Sequence, residues 1–269
     1  MKYSKKILAL VLCAVLSLSC IFVSRISGID TSAQETGTKK DLKILILGNS
    51  YGRDSYEYMY KIFQSSGKYN NVTVGDLYAG GQSLQGHVAS LIYALGGTEG
   101  ETPAIDESIL KTFSVNGALQ YQYYKHTGDN KIPYTYETQK DINFTDSLAE
   151  ENWDVVSIQE GPKFMGNNAQ YKIDTNILEA VNSVIGAATN KTYTADNTYI
   201  DVLTDYIKSK NSSAKIYWHE TFANIENSYT NCYSEVKIDG VSLSNQNKMF
   251  YTMSRFVHDV VNPYVENGT

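Results

Sequence analysis

The chain has 269 residues, 42% of them hydrophobic and 19% charged, enough apolar side chain for one sizeable core or a core with an embellishing subdomain. Its net charge of −6 is spread along the sequence without a basic stripe, which excludes the electrostatic footprint of a nucleic-acid binder. The 22 tyrosines supply aromatic rings with polar tips, suited to wet, half-buried surfaces such as sugar-binding clefts and equally to ordinary strand and rim packing.

At the N-terminus, Lys2, Lys5 and Lys6 precede a run of apolar and small residues from Ile7 to Val23, short for a spanning helix but right for an export signal. Residues 1–33 are therefore expected to direct the protein to the outside of a bacterial-type cell, secreted or surface-bound. The small residues Thr31-Ser32-Ala33 offer a cleavage site, and retention would leave an N-terminal anchor, the one membrane contact expected. Acylation at Cys20 is disfavoured because Ser17-Leu18-Ser19 lacks the usual upstream leucine and the following residues are apolar. Since Cys13 and Cys20 lie in this segment, the mature chain keeps Cys232 alone, with no internal disulfide and no thiolate metal cluster.

Residues 34–41 read as a polar linker, and the main domain is taken as 42–269. The aliphatic run Lys43-Ile44-Leu45-Ile46-Leu47, ending at Gly48, has the pattern of a parallel strand buried on both faces. Tyr56, Met59, Tyr60 and Phe63 follow at helical spacing, closed by Gly67. A second strand spans Asn71 to Leu77, then come the Gly80-Gly81 turn and a helix from about Ser83 to Ala94. Between about 97 and 141 the alternation fails, and the Tyr-rich segments around Thr127-Gly128-Asp129-Asn130 suggest a β-hairpin inserted above the sheet. A short acidic helix over Asp146 to Glu151 leads to a third strand, Trp153 to Ile158. Helical sequence runs from Thr175 to Lys210 with a break near Thr189 to Asp196. Ala214 to Trp218 makes a fourth strand, and Met249, Phe250, Met253, Phe256, Val257 and Val260 mark a last helix.

This alternation predicts a three-layer α/β/α fold with a parallel sheet of order 2-1-3-4. A crossover helix after the fourth strand normally returns the chain to a fifth. That strand is expected either to be missing or to lie beyond Thr269, so a C-terminally incomplete chain is the expectation.

The strongest chemical signal is Gly48-Asn49-Ser50, where a buried strand runs directly into a helix. A serine there sits in the sheet-top crevice of an open α/β fold, with helix N–H groups facing an incoming anion. The plainer reading is that Ser50 only caps the helix. Gly80-Gly81 ends strand two, where a tight turn alone accounts for the glycines. Gln159 ends strand three, where its carboxamide could make a loop hydrogen bond. Of the four histidines, His219 alone follows a strand's carboxyl end. His87 lies on the second helix, His126 in the expected hairpin turn and His258 on the last helix. No pair of histidines has metal-ligand spacing, and neither a metal nor a cofactor is expected. A flavodoxin-like phosphate loop is disfavoured because Ser50-Tyr51-Gly52-Arg53-Asp54 lacks the run of hydroxyls that cradles phosphate.

Together these blocks resemble the SGNH (GDSL-like) hydrolases, most closely a subgroup of secreted bacterial members of the DUF4886 type, from about residue 42 onward. Gly48-Asn49-Ser50 stands where that family has Gly-Asp-Ser. Gly81, or alternatively Gly80, stands at its second block, and Gln159 replaces the Asn of its third. The resemblance implies a serine esterase working through an acyl-enzyme. Ser50 would be the nucleophile, and an oxyanion hole would form from the N–H of Ser50, the N–H of Gly81 and the Gln159 amide. It implies a small-molecule or polysaccharide ester substrate, with acetylated carbohydrate favoured. The family's Asp-x-x-His base block is absent from this chain, which leaves His219 and His87 as possible substrate contacts. It also keeps open a non-catalytic carbohydrate-binding protein on the same frame.

Overall fold

The computed structural model describes residues 39–96, 105–114, 117–127, 140–165, 171–221 and 237–266. The expected export segment, the turn at Gly128–Asn130 and Cys232 lie outside the described residues. The protein is α/β, with a central, mostly parallel sheet and packed helices. Strand β1 (Lys40–Gly48) is followed by helix α1 (Ser50–Ser65), strand β2 (Tyr69–Tyr78) and helix α2 (Leu84–Gly96). A short helix α3 (Glu107–Phe113), strands β3 (Tyr121–Thr127) and β4 (Lys140–Ile142) and helix α4 (Phe144–Ala149) lead to β5 (Val155–Ile158).

Helix α5 begins at Thr175–Ala180, passes through a π-helical stretch at Val181–Gly186 and finishes at Ala187–Thr189. Asn190 ends it at φ +55°, a left-handed stop that an Asn tolerates well. Thr198 and Asp201 then form a reciprocal capping box that starts α6 (Tyr199–Lys210), satisfying two helix-end N–H groups. Strand β6 (Lys215–Trp218) follows, then the small hairpin β7 (Lys237–Ile238) and β8 (Val241–Ser242). The closing helix α7 runs as Asn245–Phe256, a π-helical stretch Val257–Val261 and Asn262–Glu266.

In the main sheet the order is β4-β3-β2-β1-β5-β6. Strands β2, β1, β5 and β6 are parallel, so their carboxyl ends lie along one edge. Strand β3 pairs antiparallel with β2, and β4 with β3. The Tyr-rich insertion therefore extends the sheet edgewise instead of standing above it. The reason is visible in β3, whose Tyr121 and Tyr123 point into one buried layer while Tyr124 joins the other. Such two-sided burial is available only within a sheet. Helix α3, which the sequence reading missed, precedes that strand. Strand β1 begins at Lys40, two residues before the domain start expected at Leu42.

Successive β1 side chains point to opposite faces. Ile44 and Ile46 pack with Val72 and Val74 of β2 and with Tyr56 and Tyr60 of α1. Leu45 and Leu47 pack into a larger core with α2, α5, α6 and α7. Gly75 is required where β2 crosses Trp153 and Tyr123, because a Cβ would lie 2.9 Å from each. The continuous apolar run in β1 is thus explained by burial on both faces, which also fixes Gly48 and Asn49 at the sheet's carboxyl edge.

Candidate functional site

Three loops meet beyond the carboxyl ends of β1, β2 and β5. Asn49, not Ser50, caps α1, its Oδ1 accepting from the Tyr51 N–H at 3.0 Å. Asn49 is 1% exposed and also binds outward from the cap. Its Nδ2 donates to the Gln82 carbonyl at 2.7 Å, and its Oδ1 accepts from Gln159 Nε2 at 3.1 Å. One side chain therefore ties the ends of β1, β2 and β5 together. Because the cap is taken by Asn49, Ser50 is left as the first helical residue with its side chain exposed. Its N–H belongs to the first turn, in which the Tyr51 and Gly52 N–H groups are already taken by the Asn49 side chain and carbonyl at 3.0 Å each.

The β2 loop turns tightly at Ala79–Gln82, closed by a hydrogen bond from the Gln82 N–H to the Ala79 carbonyl at 3.1 Å. Gly81 stands in that turn at φ +70°, where any other residue would be strained. The Ala79 N–H donates to the Gly48 carbonyl at 3.3 Å, which holds the turn against the end of β1. Gly80 and Gly81 are both partly exposed.

Gln159 is fully buried. A Cβ at Gly48 would lie 2.4 Å from its Nε2, and one at Gly52 3.0 Å away. The two glycines flanking Asn49-Ser50-Tyr51 thus make the space that Gln159 fills. Its amide is engaged by Asn49 beneath the serine, while its Oε1 is buried without a hydrogen-bond partner. In this conformation Gln159 braces the turn below Ser50 and has no face toward solvent. The next residue, Glu160, is also buried and accepts from the Leu84 N–H at 3.0 Å and the Gly161 N–H at 2.7 Å. A carboxylate at the N-terminus of α2 satisfies an otherwise orphaned donor and suits the helix dipole.

The histidines distribute differently from their sequence roles. His87 has no exposure and stacks on Tyr121, its Nδ1 lying 2.9 Å from the Tyr121 hydroxyl. Burial pushes its imidazole down to about 3, so it is a neutral core residue and does not reach a substrate here. His126 belongs to β3 and not to a turn, stacked 4.7 Å from the Tyr56 ring. His258 is exposed and lies 2.7 Å from Asp259 Oδ1.

His219 follows β6 at the carboxyl edge, its N–H donating to the Ile158 carbonyl at 2.8 Å. Burial holds its imidazole below the usual range, which favours the neutral, proton-accepting form. Two strand spacings, roughly 10 Å, separate β6 from β1, and among the described residues no histidine hydrogen bonds to Ser50. Burial also raises the neighbouring Glu220 carboxyl. Among the described residues there is no cluster of three His, Cys, Asp or Glu placed to hold a metal.

One charged pair escaped the sequence reading. Asp76 is fully buried on β2, both carboxylate oxygens lacking a hydrogen-bond partner. Burial pushes it up to about 7, against the opposing pull of Arg53. The Arg53 guanidinium lies 4.7 Å from the Tyr78 ring and 3.9 Å from the Tyr124 ring, a cation–π position between two strands. An acid at the inward register of Val72-Thr73-Val74-Gly75-Asp76 was the signal available, since that position pairs with Ile46 of β1.

Comparison with known proteins adds little to this geometry. No family model and no curated protein matches the chain. Among solved structures, the chain is similar to a DUF4886 family protein from Bacteroides uniformis, with 17% identity and a TM-score of 0.45. The match covers 83% of this chain and 64% of that protein, so the chain spans less than two thirds of the length of the structure it matches.

Proposed function

We propose that the protein is a serine ester hydrolase of the SGNH type, exported from the cell and acting on acylated carbohydrate through an acyl-enzyme. The observation that carries this reading is the exposed Ser50 at the first position of α1, on the carboxyl edge of a parallel sheet. A nucleophile there stands at the N-terminus of α1, with the Gly81 turn held to the end of β1 through the Ala79 N–H, an arrangement in which preorganised N–H donors stabilise a developing oxyanion. In this reading the N–H groups of Ser50 and Gly81 act on the oxyanion, and Gln159 joins them if its amide swings from Asn49. His219 and Glu220, beyond the end of β6, carry lone pairs able to orient substrate or accept a proton, whereas Glu160, nearer in the strand order, is held by the Leu84 and Gly161 N–H groups. Export rests on the sequence of residues 1–33. No helix among the described residues is long and apolar enough to cross a membrane.

The test is turnover of 4-nitrophenyl acetate by the full chain and by Ser50→Ala. Loss of turnover in the variant with an unchanged far-UV spectrum supports the assignment, and retained turnover removes it. A second reading, a carbohydrate-binding protein on the same frame, is favoured by the full burial of Gln159, whose Nε2 gives one of its two N–H groups to Asn49 and has no exposure through which to meet an oxyanion. It predicts no turnover by either protein.

A further inference from the structure

Beside the serine crevice lies a cleft of about 420 Å³, bounded by Tyr78 and Gly80 at the end of β2, Tyr93 of α2, Lys111 of α3 and Gln120, Gln122 and Asp141 of the insertion. This volume is in the range of small-ligand sites. Its walls are tied down. The Ser114 hydroxyl bonds the Ala118 carbonyl and, at 3.3 Å, Gln82 Oε1. The Gly117 N–H donates to the Ser114 carbonyl at 3.2 Å, with Gly117 itself at φ +67°. The segment carrying Gln120 is thereby fixed to the loop that carries Gly81.

Tyr78 connects the cleft to the helix that bears Ser50. Tyr78 lines the cleft, and its ring takes the Arg53 guanidinium one helical turn from Ser50. Arg53 also covers Tyr124, whose hydroxyl donates at 3.0 Å to Gln122 Oε1 in the cleft wall. Arg53 thus sets the cleft residues Tyr78 and Gln122 beside the first turn of α1.

The lining chemistry selects a ligand class. Lys111 is paired with Glu107 at 2.6 Å, and Asp141 adds a second carboxylate, so an anionic ligand meets no uncompensated positive charge. The exposed carboxamides of Gln120 and Gln122 disfavour an apolar ligand, since burying them unpaired is costly. Tyrosine rings beside carboxamides and a carboxylate suit a molecule with C–H faces and many hydroxyls.

We propose that this cleft binds a neutral sugar unit of a carbohydrate chain whose acylated neighbour reaches Ser50. The second half of that statement rests on the ester-hydrolase reading, whereas the cleft itself does not.

The test is calorimetric titration of the full chain carrying Ser50→Ala with xylotetraose, cellotetraose, mannotetraose and chitotetraose. At least one of the four is expected to bind in the millimolar range or tighter. Adding Tyr93→Ala or Gln120→Ala should weaken that binding about tenfold or more, whereas Tyr217→Ala, on an exposed tyrosine of β6 outside the cleft, should not. Gln120 is exposed, so its variant keeps the test valid if Tyr93→Ala fails to fold. Binding of none of the four, or binding indifferent to both cleft variants, overturns the proposal. Turnover of 4-nitrophenyl acetate by the unsubstituted protein reads the ester reading separately. Its absence alongside cleft-dependent binding removes the esterase and leaves the cleft.

Discussion

Gln159 and Asn49, 110 positions apart in sequence, share a buried hydrogen bond of 3.1 Å at the residue that precedes the exposed Ser50. Asn49 is the hub of the site, since its two polar atoms serve the helix cap, the β2 loop and the β5 loop together. Replacing it should therefore cost more than a cap. Asn49→Ala removes the cap, worth about 1 kcal/mol, and strands the Gln82 carbonyl and the Gln159 amide, at about 1–3 kcal/mol for each group left unsatisfied. A loss of roughly 3 kcal/mol is expected in urea unfolding, and a loss below about 1 kcal/mol would mean that Asn49 acts as a cap alone.

Asn49→Asp separates these functions. The carboxylate keeps the acceptor for Tyr51 and Gln159 but loses the donor to the Gln82 carbonyl 2.7 Å away. Stability should fall between that of the parent and that of Asn49→Ala. A variant as stable as the parent would show that the Gln82 contact contributes nothing.

Gln159→Ala should both destabilise the protein and lower kcat on an activated ester more than it raises KM. The side chain fills space between Gly48 and Gly52, and truncating a buried residue of this size costs about 2–3 kcal/mol. The kcat effect follows if the turn bearing Ser50 loses its brace or the oxyanion loses a donor. A pure KM effect with unchanged stability contradicts both roles.

Two buried groups give opposite pH dependences. Asp76 is raised from 3.8 to about 7, so its contribution is fully present below pH 3.8 and is lost as pH rises toward 7. His87 is depressed from 6.5 to about 3, so its contribution is present above pH 6.5 and is lost as pH falls toward 3. Each slope approaches about 1.4 kcal/mol per pH unit, and they oppose one another between about pH 4 and 6.5. Asp76→Asn should thus gain stability relative to the parent as pH rises from 4 to 7. His87→Gln should gain relative stability as pH falls from 6.5 to 3. Urea midpoints across this range check both, and parallel curves for variant and parent would show that the group is not the buried titrator described.

Glu160→Ala should destabilise by about 2–3 kcal/mol, because the Leu84 and Gly161 N–H groups both lose their buried acceptor. Glu160→Gln keeps an oxygen for one of them and should recover part of the loss. Equal stability of the two variants would remove the hydrogen bonds as the cause.

Much of the scaffold is legible because burial on both faces leaves a continuous apolar run. Lys43 to Leu47 and Trp153 to Ile158 could be little else than central strands, and the break after Thr189 shows in the change from apolar spacing to Asn, Thr and Asp. The insertion was harder. Tyr121 and Tyr123 enter one buried layer and Tyr124 the other, and without the partner strand β2 this run looks like a free hairpin. Helix α3, only Glu107–Phe113, is too short for a periodic signal.

At the site, the placement of Ser50 at a strand-to-helix junction is local and could be read directly. The Asn49 cap on the Tyr51 N–H is equally local, whereas the burial of Gln159 and the core position of His87 depend on partners tens of residues away. Hydrogen-bond direction between such partners leaves no periodic trace in sequence. The glycines did carry a trace, since Gly48 and Gly52 bracket the serine, but their neighbour Gln159 becomes visible only once β5 is set beside β1.

The central claim is that Ser50 is a reactive nucleophile. A fluorophosphonate probe incubated with the full chain, followed by intact mass and peptide mapping, reads this without knowledge of the natural substrate. One stoichiometric adduct on Ser50, absent from Ser50→Ala and from heat-unfolded protein, is the expected result. A folded chain that takes no label, or takes it on another residue, would contradict the hydrolase assignment and leave the frame as a binding protein.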